Sequence, residues 1–490
     1  MEPEQILNHP LVMAIVAERE AALTEVEKLR ADNAVLRTEM EKLREAMGRL
    51  EPLLANLQSR LEKDSHNSSK PPSSDGPGST PRPPSKPTGR KRGGQPGRTG
   101  KFREALPEGS ETRTVHVKLT TCPHCAGAIP PEDITGSQTD RVLDLVQQLT
   151  EVTAYRREEG CCPHCHRKVQ APIPPEAGGG ELGSRLRALA GYLRTEGRMS
   201  VGVLHYFFNE VLQIKVSRGW LYEACVGLGQ ALAPTYEDLR GEIRHALVVN
   251  MDETGFGRKD RNWIWTALTA RTALFHFATS RSQKSLLEIL PEDFSGVLGT
   301  DRYAAYHKLQ SAARQYCWAH LRRDIIALSE SKDTGVEAIA KRMLADQEEI
   351  FIWWHMFRDG EIDRKCLRAG TAVILARFKR NFLALTKTND KKAKTFGSAL
   401  IENWSRLWTF LRVENLQPTN NIAERALRPL VILKRIFQRL PSQRGREFFE
   451  RVYSAGATAR IRSVQLFEWL IRALNAYRLG EPAPALEPGG

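Results

Sequence analysis

Residues 246–256 read ALVVNMDETGF, and the apolar run that ends in Asp252 decides the fold. A largely apolar run of this length predicts a buried strand, and the acid marks where that strand leaves the core. Two further strands, a helix and a fourth strand follow in RNWIWTALTA (261–270), TALFHFATS (272–280), SQKSLLEIL (282–290) and SGVLGTDRYAAY (295–306). The fourth strand ends in Asp301, so two strands of one predicted sheet end in a carboxylate.

These two carboxylates predict a metal site. In a sheet whose first and fourth strands are neighbours, Asp252 and Asp301 lie side by side and repel each other unless a cation sits between them. Mg²⁺ suits such a pair, because it prefers oxygen ligands and keeps water molecules for a phosphate substrate. A third acid on a later helix would complete a site for two metal ions about 3.5–4 Å apart. Each aspartate alone also fits a turn residue at a strand end.

The chain becomes helical after the fourth strand. RQYCWAHLRRDIIALSE (314–330) predicts a fifth strand that continues as a helix, and residues 330–410 are helical in pattern. The order β-β-β-α-β-α-β-α, with acids after strands one and four, resembles the ribonuclease H fold. The pattern therefore predicts an α/β domain with a helical insertion.

A third acid follows this insertion. The stretch QPTNNIAERALRPL (417–430) carries Glu424, a lone acid among asparagines and arginines. It predicts either a metal ligand or a glutamate in the first turn of a helix that Asn420 or Asn421 caps. Asp324, in the helix after the fifth strand, is the rival third acid.

The totals favour a DNA-binding protein of several domains. The chain has 490 residues, a length typical of about three domains. Lys and Arg number 72 against 58 Asp and Glu, and the isoelectric point is about 9.4, which favours a nucleic acid as partner. No apolar run predicts a membrane span, and the N-terminus lacks a signal-peptide pattern. We therefore expect a cytoplasmic, nucleoid-associated protein with reduced thiols.

The first 63 residues have a heptad pattern. Leucines recur at one heptad position and mixed residues at the other seam position: Leu29, Leu36, Leu43 and Leu50, with Val26, Asn33, Met40 and Met47. Such a repeat favours a parallel coiled coil, in which one seam Asn costs stability but selects two strands. The alternative is an amphipathic helix that packs on its own chain. We predict a homodimer or higher oligomer through this segment.

Residues 64–101 are rich in Ser, Pro and Gly and lack large apolar side chains. Such a segment cannot bury enough surface to offset its ordering entropy, so we predict a flexible linker. Four basic residues cluster near its end: Arg90, Lys91, Arg92 and Arg98. Arginines in this context either enter a DNA minor groove or stay solvated, and the pattern fits both.

Two CPHC motifs lie between residues 102 and 175. They supply Cys122, Cys125, Cys162 and Cys165. Two such pairs suit tetrahedral Zn²⁺ in a closed structural site, although the interval between them is longer than in common zinc ribbons. The adjacent Cys161 leaves the choice of the fourth ligand open. The other three cysteines are expected to be small buried residues: Cys225, Cys317 and Cys366.

Residues 176–245 have a helical pattern. MSVGVLHYFFNEVLQIKVSRGWLYEAC (199–225) predicts two helices joined by a short turn, with Ser217 as N-cap of the second. Arg218 and Trp220 lie on this second helix, which a helix-turn-helix would place in a major groove. The alternative is an ordinary helix pair without a DNA contact.

The chain resembles the DDE transposases of the insertion sequence 66 family over most of its length. The matching segments are the zipper, SHNSSKPPSSD, the paired CPHC motifs, MDETGF, GTDRYAAY, CWAHLRRD and NNIAERALRPL. By this resemblance Asp252, Asp301 and Glu424 match the three catalytic acids. Asn421, Glu424 and Arg425 fit the N-x-x-E-R pattern of the family, which favours Glu424 as the third acid.

The resemblance implies a DNA transposase. Water, activated at a site with two Mg²⁺ or Mn²⁺ ions, attacks a phosphodiester at the element's end and frees a 3′-hydroxyl, which then attacks target DNA. The implied partners are the element ends, the target DNA and small accessory proteins of the same element. Structural Zn²⁺ would stabilise the CPHC module.

Further residues are expected around the site. Cys317, Trp318 and His320 resemble a C-x-x-H signature of several transposase groups. We expect His320 to support the site without binding Mg²⁺, for which imidazole is a poor match. Trp318 is a candidate to stack on an unpaired base, and the alternative is that all three are core and capping residues. Basic residues expected to contact DNA are Arg425, Arg428, Lys434, Arg435 and Arg439.

The predicted fold class is multidomain α/β. The segments are a coiled coil (1–63), a flexible basic linker (64–101), a zinc module (102–175), a helical DNA-binding region (176–245), a ribonuclease H-like catalytic domain (246–440, insertion about 330–410) and a basic helical tail (441–490). One alternative is a non-catalytic DNA-binding regulator, which leaves Asp252 and Asp301 without a role. The other is a ribonuclease H-like nuclease, which does not explain the zipper or the CPHC motifs.

Overall fold

The computed structural model describes residues 10–62, 109, 112–140, 143, 145–146, 149–174, 182–256, 262–309, 313–436 and 442–488. Contacts between Cα atoms divide the chain into two compact units, which are described separately. One comprises the described parts of Met1–Lys86 with Arg323–Lys341, and the other those of Pro87–Arg322 and Arg342–Gly490. Within the described residues, no helix has both the length and the apolar character of a membrane span.

Helix α1, Pro10–Glu62, carries the predicted heptads in one continuous helix. Its described seam side chains are exposed in the single chain, among them Val26, Leu36, Met40, Leu43 and Met47. An apolar stripe in water favours burial against another helix. The coiled-coil pairing itself stays a prediction.

A small hairpin and a set of helices precede the central sheet. The hairpin pairs β1, Glu159–Cys161, with β2, Lys168–Gln170. The helices are α2 Ser184–Thr195, α3 Val201–Tyr206, α4 Arg218–Ala231 and α5 Ala233–Arg244, and α3 continues into a π-helical turn, Phe207–Val211. The Ser217 hydroxyl accepts from the Trp220 N–H at 3.0 Å, which confirms the predicted N-cap of α4.

The predicted strands form one five-stranded sheet. They are β3 Val248–Phe256, β4 Asn262–Leu268, β5 Ala273–Ala278, β6 Val297–Thr300 and β7 Ala313–Tyr316. Their order is β5-β4-β3-β6-β7, with the first three antiparallel and with β6 and β7 parallel to β3. The first and fourth strands are therefore neighbours, which is the condition under which Asp252 and Asp301 were expected to lie side by side.

The remaining elements are mostly helices. They are α6 Gln283–Leu287, α7 Trp318–Ser329, α8 Thr334–Arg358, α9 Arg364–Thr386, α10 Lys391–Glu402, α11 Trp404–Leu407, α12 Asn421–Ile436, α13 Gln443–Ile461 and α14 Leu466–Leu479. Short 3₁₀ turns lie at Pro131–Asp133, Ala304–Lys308 and Thr409–Leu411. Helices α8 to α11 occupy the region of the predicted insertion.

Both faces of the sheet are covered, because side chains alternate along β4 and β5. Ile264 and Phe275 belong to a core shared with α12, α13 and α14. Trp265 and Leu274 belong to the core on the other face. The segment predicted as a basic helical tail forms helices α13 and α14, and residues such as Phe448 in α13 are buried in the first of these cores.

The outer strand β5 is protected by polar side chains of α13. The backbone N–H of Ala273 donates to Thr458 Oγ1 at 3.0 Å, and that of Phe275 donates to Ser454 Oγ at 2.9 Å. The Phe277 N–H donates to a carboxylate oxygen of α13 at 2.6 Å. Four helical residues rise about 6 Å and two strand residues about 6.7 Å, so the two spacings match. This contact closes the edge that would otherwise pair with another strand.

Candidate active site

Asp252 lies inside β3. The prediction that this acid ends the strand is wrong, because β3 continues to Phe256 in antiparallel pairing with β4. What ends before the acid is the parallel pairing with β6, whose last partners are Asn250 and Gly299. Beyond Asn250, β3 is no longer paired with β6, and Asp252 lies in this part of the strand. The apolar pattern identifies the buried run but cannot show which neighbouring strand ends first.

Asp301 directly follows β6, as predicted. Each of the two acids lies two residues beyond the last pair that β3 and β6 form with each other, so the register places Asp252 and Asp301 at the same level. The Tyr303 backbone N–H donates to Asp301 Oδ1 at 2.8 Å and holds the carboxylate at the turn after the strand. The other oxygen, Oδ2, lies 4.0 Å from Arg281 Nη2.

Glu424 lies in the first turn of α12, and the buried Asn420 connects that turn to the sheet. Asn420 Nδ2 donates to the Met251 carbonyl, the residue before Asp252, at 2.6 Å. The Asn420 backbone N–H donates to Cys317 Sγ at 3.1 Å, and its carbonyl accepts the first N–H groups of the helix. Asn420 thus precedes the helix as a cap residue, while its amide donates to the strand that bears the first acid.

The electrostatics of Asp252 show that these acids are close. Burial raises the pKa of Asp252 well above its ordinary value, and the charges of Glu253 and Glu424 raise it further. Asp301 adds a smaller effect of the same sign on this pKa. The carboxylates of Asp301, after β6, and of Glu424, on α12, therefore both act on Asp252. Such oxygen ligands fit a divalent cation such as Mg²⁺ or Mn²⁺, which would relieve the repulsion.

The C-x-x-H residues lie beside Glu424. Among the described residues, the ligand atoms of Cys317, His320 and Glu424 form the group that lies within 4.8 Å. His320 Nδ1 is 3.5 Å from Glu424 Oε1. Burial raises the pKa of the Cys317 thiol to about 11, whereas metals bind the thiolate form. The group therefore fits a support for Glu424 better than a metal site of its own.

Trp318 is a core residue, so the predicted stacking of a DNA base on its ring is wrong. Its side chain is 1% exposed, and its indole N–H donates to the Leu407 carbonyl at 2.9 Å. The ring packs against Phe378 and Trp408, with centroids 5.3 and 4.9 Å away. For Trp318 the structure supports the alternative of a core residue.

The scattered cysteines divide into two kinds. Cys225 and Cys317 are buried, as predicted. Cys366 is exposed, so its prediction as a buried residue is wrong. Its backbone N–H donates to the Asp363 side chain at the N-cap of α9, which places it on the first turn of a helix.

The sequence analysis missed the acid next to Asp252. The Glu253 side chain is fully buried and accepts from Tyr306 Oη at 2.5 Å and from Arg281 Nε at 2.8 Å. Burial raises the pKa of Glu253 and Asp301 raises it further, while the two donors lower it. The doubled acid in MDETGF was the available signal, because a buried charge needs partners from elsewhere in the chain. Nothing in the sequence pattern identifies those partners.

The two CPHC motifs form the same turn. The Cys122 N–H donates to the Gly127 carbonyl at 2.8 Å, and the Cys162 N–H donates to the Arg167 carbonyl at 3.0 Å. In both turns the cysteine carbonyl accepts from the N–H four residues later at 2.9 Å. Nearby backbone N–H groups lower the pKa of Cys122 and of Cys162, which favours the thiolates that zinc binds.

Cys161 has a different position. It lies on β1 opposite Lys168, outside the turn that Cys162 shares with Cys122. The structure brings the motif cysteines together in pairs only. In the described part of the chain, no group within 4.8 Å contains three of Cys122, Cys125, Cys162 and Cys165.

The candidate DNA-contacting residues differ in their surroundings. Arg218 and Arg425 are exposed near the starts of α4 and α12, and Arg428 is exposed in the middle of α12. Lys434 Nζ donates to the Gly255 carbonyl of β3 at 2.8 Å. Arg90, Lys91, Arg92, Arg98, the side chain of Arg435, and Arg439 lie outside the described residues.

Trp220 packs inside the helical region. Its ring centroid lies 6.3 Å from that of Phe208, and the Arg187 guanidinium lies 5.4 Å above the ring. The exposed Arg218, two residues earlier on α4, is therefore the better placed of the two predicted contacts.

Comparisons with known proteins give a family for most of this fold. The model of the Transposase IS66 family matches residues 180–447, and a model described as a family of unknown function (DUF6444) matches residues 8–104. The uncharacterized protein y4qI of Sinorhizobium fredii is 24% identical over 305 residues, 56% of each chain. The uncharacterized protein y4jD of the same organism is 25% identical over 392 residues, 72% of this chain and 74% of its own. The chain thus spans about half the length of the first of these relatives.

Proposed function

The chain belongs to the Transposase IS66 family, whose model matches more than half of it, and we propose that it is a DDE-type transposase that cuts and joins DNA with a divalent metal. The observation that carries the proposal is the convergence of Asp252, Asp301 and Glu424. Burial and neighbouring carboxylates raise the pKa of Asp252, as expected for acids that share a cation. The sheet order β5-β4-β3-β6-β7, with both aspartate-bearing strands adjacent, supports a ribonuclease H-like assignment.

In this mechanism the three acids would hold the metal, with Mg²⁺ or Mn²⁺ as candidates. The bound cations would supply charge for the phosphate and lower the pKa of the attacking water. Asn420 keeps the start of α12 against β3 and so sets the distance from Glu424 to Asp252. His320 lies beside Glu424 and can orient its carboxylate.

The reaction has two in-line steps. Water attacks a phosphodiester at the element's end, the P–O3′ bond breaks, and the 3′-oxygen leaves as a hydroxyl. That 3′-hydroxyl then attacks a phosphodiester of target DNA, and the target 3′-oxygen leaves. No covalent bond between protein and DNA is required, because positioning and charge carry both steps.

The test is a cleavage and strand-transfer assay on the full-length protein. Duplexes that carry candidate element ends are incubated with Mg²⁺ or Mn²⁺, and the cut strands are mapped. We expect metal-dependent nicks at the ends and joined products with a target plasmid, both abolished by Asp252→Asn. DNA binding without nicks would support a non-catalytic regulator. Nicks without joined products would support a nuclease.

The other modules are assigned to DNA binding and assembly. We propose that Cys122, Cys125, Cys162 and Cys165 bind one structural Zn²⁺, a proposal that the two equivalent turns support. We propose that α1 pairs two protomers, so that both element ends are handled together. The exposed basic residues at the starts of α4 and α12 would contact DNA phosphates.

The element pattern supports the proposed division of the chain. The second CPHC hairpin ends at Gln170, the helical region runs from Ser184 to Arg244, and the sheet begins at Val248. The boundary near 245 therefore falls between elements, and the boundary near 175 lies outside the described residues. The boundary proposed at 440 does not separate two hydrophobic cores, since α13 contributes to the same core as β4 and β5.

A further inference from the structure

We propose that Arg281, in the turn between β5 and α6, binds a DNA phosphate beside Asp301 and is a catalytic residue of the proposed reaction. The inference rests on the proposed transposase function and adds a residue outside the three acids and the C-x-x-H group. Four observations carry it: the anchor of the guanidinium, its aromatic contacts, its distance from Asp301, and its remaining donors.

The guanidinium is anchored from below by a buried carboxylate. Arg281 Nε and Nη2 lie 2.8 and 2.6 Å from the same oxygen, Glu253 Oε1. The other Glu253 oxygen accepts from Tyr306 Oη at 2.5 Å, and the Tyr306 side chain is fully buried. A carboxylate held in this way cannot follow the arginine toward solvent. Arg281 is therefore fixed at its inner end.

Two aromatic rings fix the plane of the same guanidinium. Its Cζ lies 3.8 Å from the Tyr303 ring centroid and 5.0 Å from that of Trp263. The Tyr303 hydroxyl also donates to the Arg281 carbonyl at 2.9 Å, which ties the ring to the turn. The rotamer entropy that an arginine loses on binding a ligand is thus already lost before DNA arrives.

Arg281 reaches the active site. Its Nη2 is 4.0 Å from Asp301 Oδ2, and the Tyr303 N–H holds the other oxygen of the same carboxylate. The Arg281 side chain is 35% exposed, whereas the acid that anchors it is fully buried. The guanidinium therefore has a closed side toward the core and an open side beside the proposed metal ligand.

The open side offers hydrogen-bond donors. The contacts to Glu253 use Nε and Nη2, and within the described residues Nη1 forms no hydrogen bond. A guanidinium presents planar N–H groups that match phosphate oxygens, and a lysine ammonium does not reproduce that fork. The substrate of the proposed reaction supplies a phosphate at this position.

The test combines Arg281→Lys with a neutral phosphate analogue. Single-turnover cleavage is measured with the full-length protein on element-end DNA that carries either a phosphate or a methylphosphonate at one position near the cut. We expect Arg281→Lys to lower the cleavage rate by about 10- to 100-fold, the loss that one charged hydrogen bond in the transition state gives. At the contacted phosphate, the methylphosphonate should slow the wild type but slow Arg281→Lys no further.

A second arm locates the phosphate. The methylphosphonate is moved from the element end to the target strand, and strand transfer from a pre-cleaved end is measured. If Arg281→Lys loses the methylphosphonate sensitivity of the wild type in the first arm, the arginine contacts the element end. If it loses that sensitivity in the second arm, the arginine contacts the target strand. An Arg281→Lys protein that is as sensitive as the wild type to the methylphosphonate at every position in both arms would overturn the proposal.

The matched control is Arg240→Lys. Arg240 lies on α5, 5.9 Å from the Tyr236 ring, and pairs with Glu237, so it shares the aromatic contact and the acid without facing the site. We expect this variant to cleave at the wild-type rate and to keep its methylphosphonate sensitivity. If Arg281→Lys does not fold, Glu253→Gln takes its place, because it keeps an acceptor for Arg281 while removing the charge of the anchor.

The proposal and the function on which it rests fail in different ways. Wild-type cleavage rates in Arg281→Lys, with Asp252→Asn inactive, would remove the arginine and keep the transposase. Metal-dependent cleavage that survives Asp252→Asn would remove the proposed site instead. Additive losses from Arg281→Lys and the methylphosphonate would show that the arginine acts on the fold and not on the phosphate.

Discussion

At the scale of single residues, Asn420 explains how a helix far along the chain supports an acid on the first strand. Its side chain donates to Met251, its backbone N–H donates to Cys317, and its carbonyl begins α12. One residue therefore joins the strand of Asp252, the end of β7 and the helix of Glu424. The position of Glu424 depends on this junction, which the sequence shows only as a candidate cap.

Glu424→Gln tests whether this residue is a metal ligand or a helix-start residue. A glutamate that only favours the helix start can be replaced by glutamine at little cost, because a negative charge in the first turn contributes only about 0.3–1 kcal/mol. A metal ligand cannot, because the amide lacks the charge that balances the dication. We expect Glu424→Gln to keep the wild-type melting temperature and to lose metal-dependent cleavage.

The comparison variant is Asp324→Asn, which changes the rival acid on α7. We expect it to keep substantial cleavage activity when assayed under the same conditions. An active Glu424→Gln together with a folded but inactive Asp324→Asn would assign the third acid to Asp324.

Asp252→Asn is expected to stabilise the metal-free protein. The raised pKa of Asp252 means that the folded state favours its neutral form, so its ionisation at neutral pH opposes folding. The neutral amide removes that cost. In EDTA at pH 7 we expect the melting temperature to rise by about 2–4 °C, the shift that roughly 1 kcal/mol gives in a domain of this size.

Metal addition provides the second half of this experiment. Mg²⁺ or Mn²⁺ should raise the melting temperature of the wild type, and Asp252→Asn should lose most of that increase. Asp238→Asn, which changes an exposed aspartate on α5, should leave both measurements unchanged. A lower melting temperature for Asp252→Asn in EDTA would contradict the electrostatic account.

At the scale of secondary-structure elements, α13 and the end of α6 each place one acid beside the same histidine of β5. His276 Nε2 lies 2.7 Å from Glu288 and Nδ1 lies 3.2 Å from Glu450, with the Tyr236 hydroxyl 3.4 Å from Nδ1. Burial lowers the pKa of His276, but the two acids outweigh it and leave a net rise. The imidazolium therefore helps to hold the helix against the edge strand.

This pair of contacts predicts a pH dependence of stability. Because the folded pKa is raised, the stabilisation is fully present below the unfolded pKa of about 6.5 and is lost as the pH rises through the folded value. We expect the melting temperature of the wild type to fall over that interval above about pH 6.5. His276→Gln should flatten this part of the profile, as measured by thermal denaturation at constant ionic strength. A profile that keeps its slope in His276→Gln would assign the dependence to other groups.

The strands and helices of the sheet were predictable, because their apolar periodicity is local. The position of Asp252 within β3 was not, since it depends on where the parallel pairing with β6 ends. Trp318 shows the same limit, because an aromatic residue beside a catalytic motif has the same pattern in a core and in a DNA site. Arg281 reaches Asp301 from a separate turn, and no periodicity or spacing connects the two.

At the scale of the whole molecule, the CPHC turns predict one zinc ion per chain. The hydrogen bonds of Cys162 match those of Cys122, whereas Cys161 lies on β1, so the equivalence favours Cys162 as the ligand. We expect elemental analysis of the full-length protein to give one zinc per chain. Cys161→Ser should keep it and Cys162→Ser should lose it. Loss of zinc from Cys161→Ser alone would exchange the two residues in the ligand set.

The last prediction concerns the assembly that brings two element ends to two active sites. The seam of α1 is exposed in the single chain, with Leu36 at 55% and Leu43 at 64% exposure. A helix pair would bury these leucines and gain hydrophobic free energy. Leu36→Glu should therefore convert the full-length protein to a smaller species in sedimentation equilibrium.

Asn33→Val separates the two roles of the seam. An Asn at this heptad position lowers stability but selects a parallel pair, because the two amides bond across the seam. We expect Asn33→Val to raise the melting temperature of the oligomer and to produce a mixture of oligomeric states, measured by sedimentation. A monomeric wild type at high concentration would contradict the coiled coil. A single dimeric species in Asn33→Val would show that the leucines alone select two strands, and the buried amide would then have no part in bringing the element ends together.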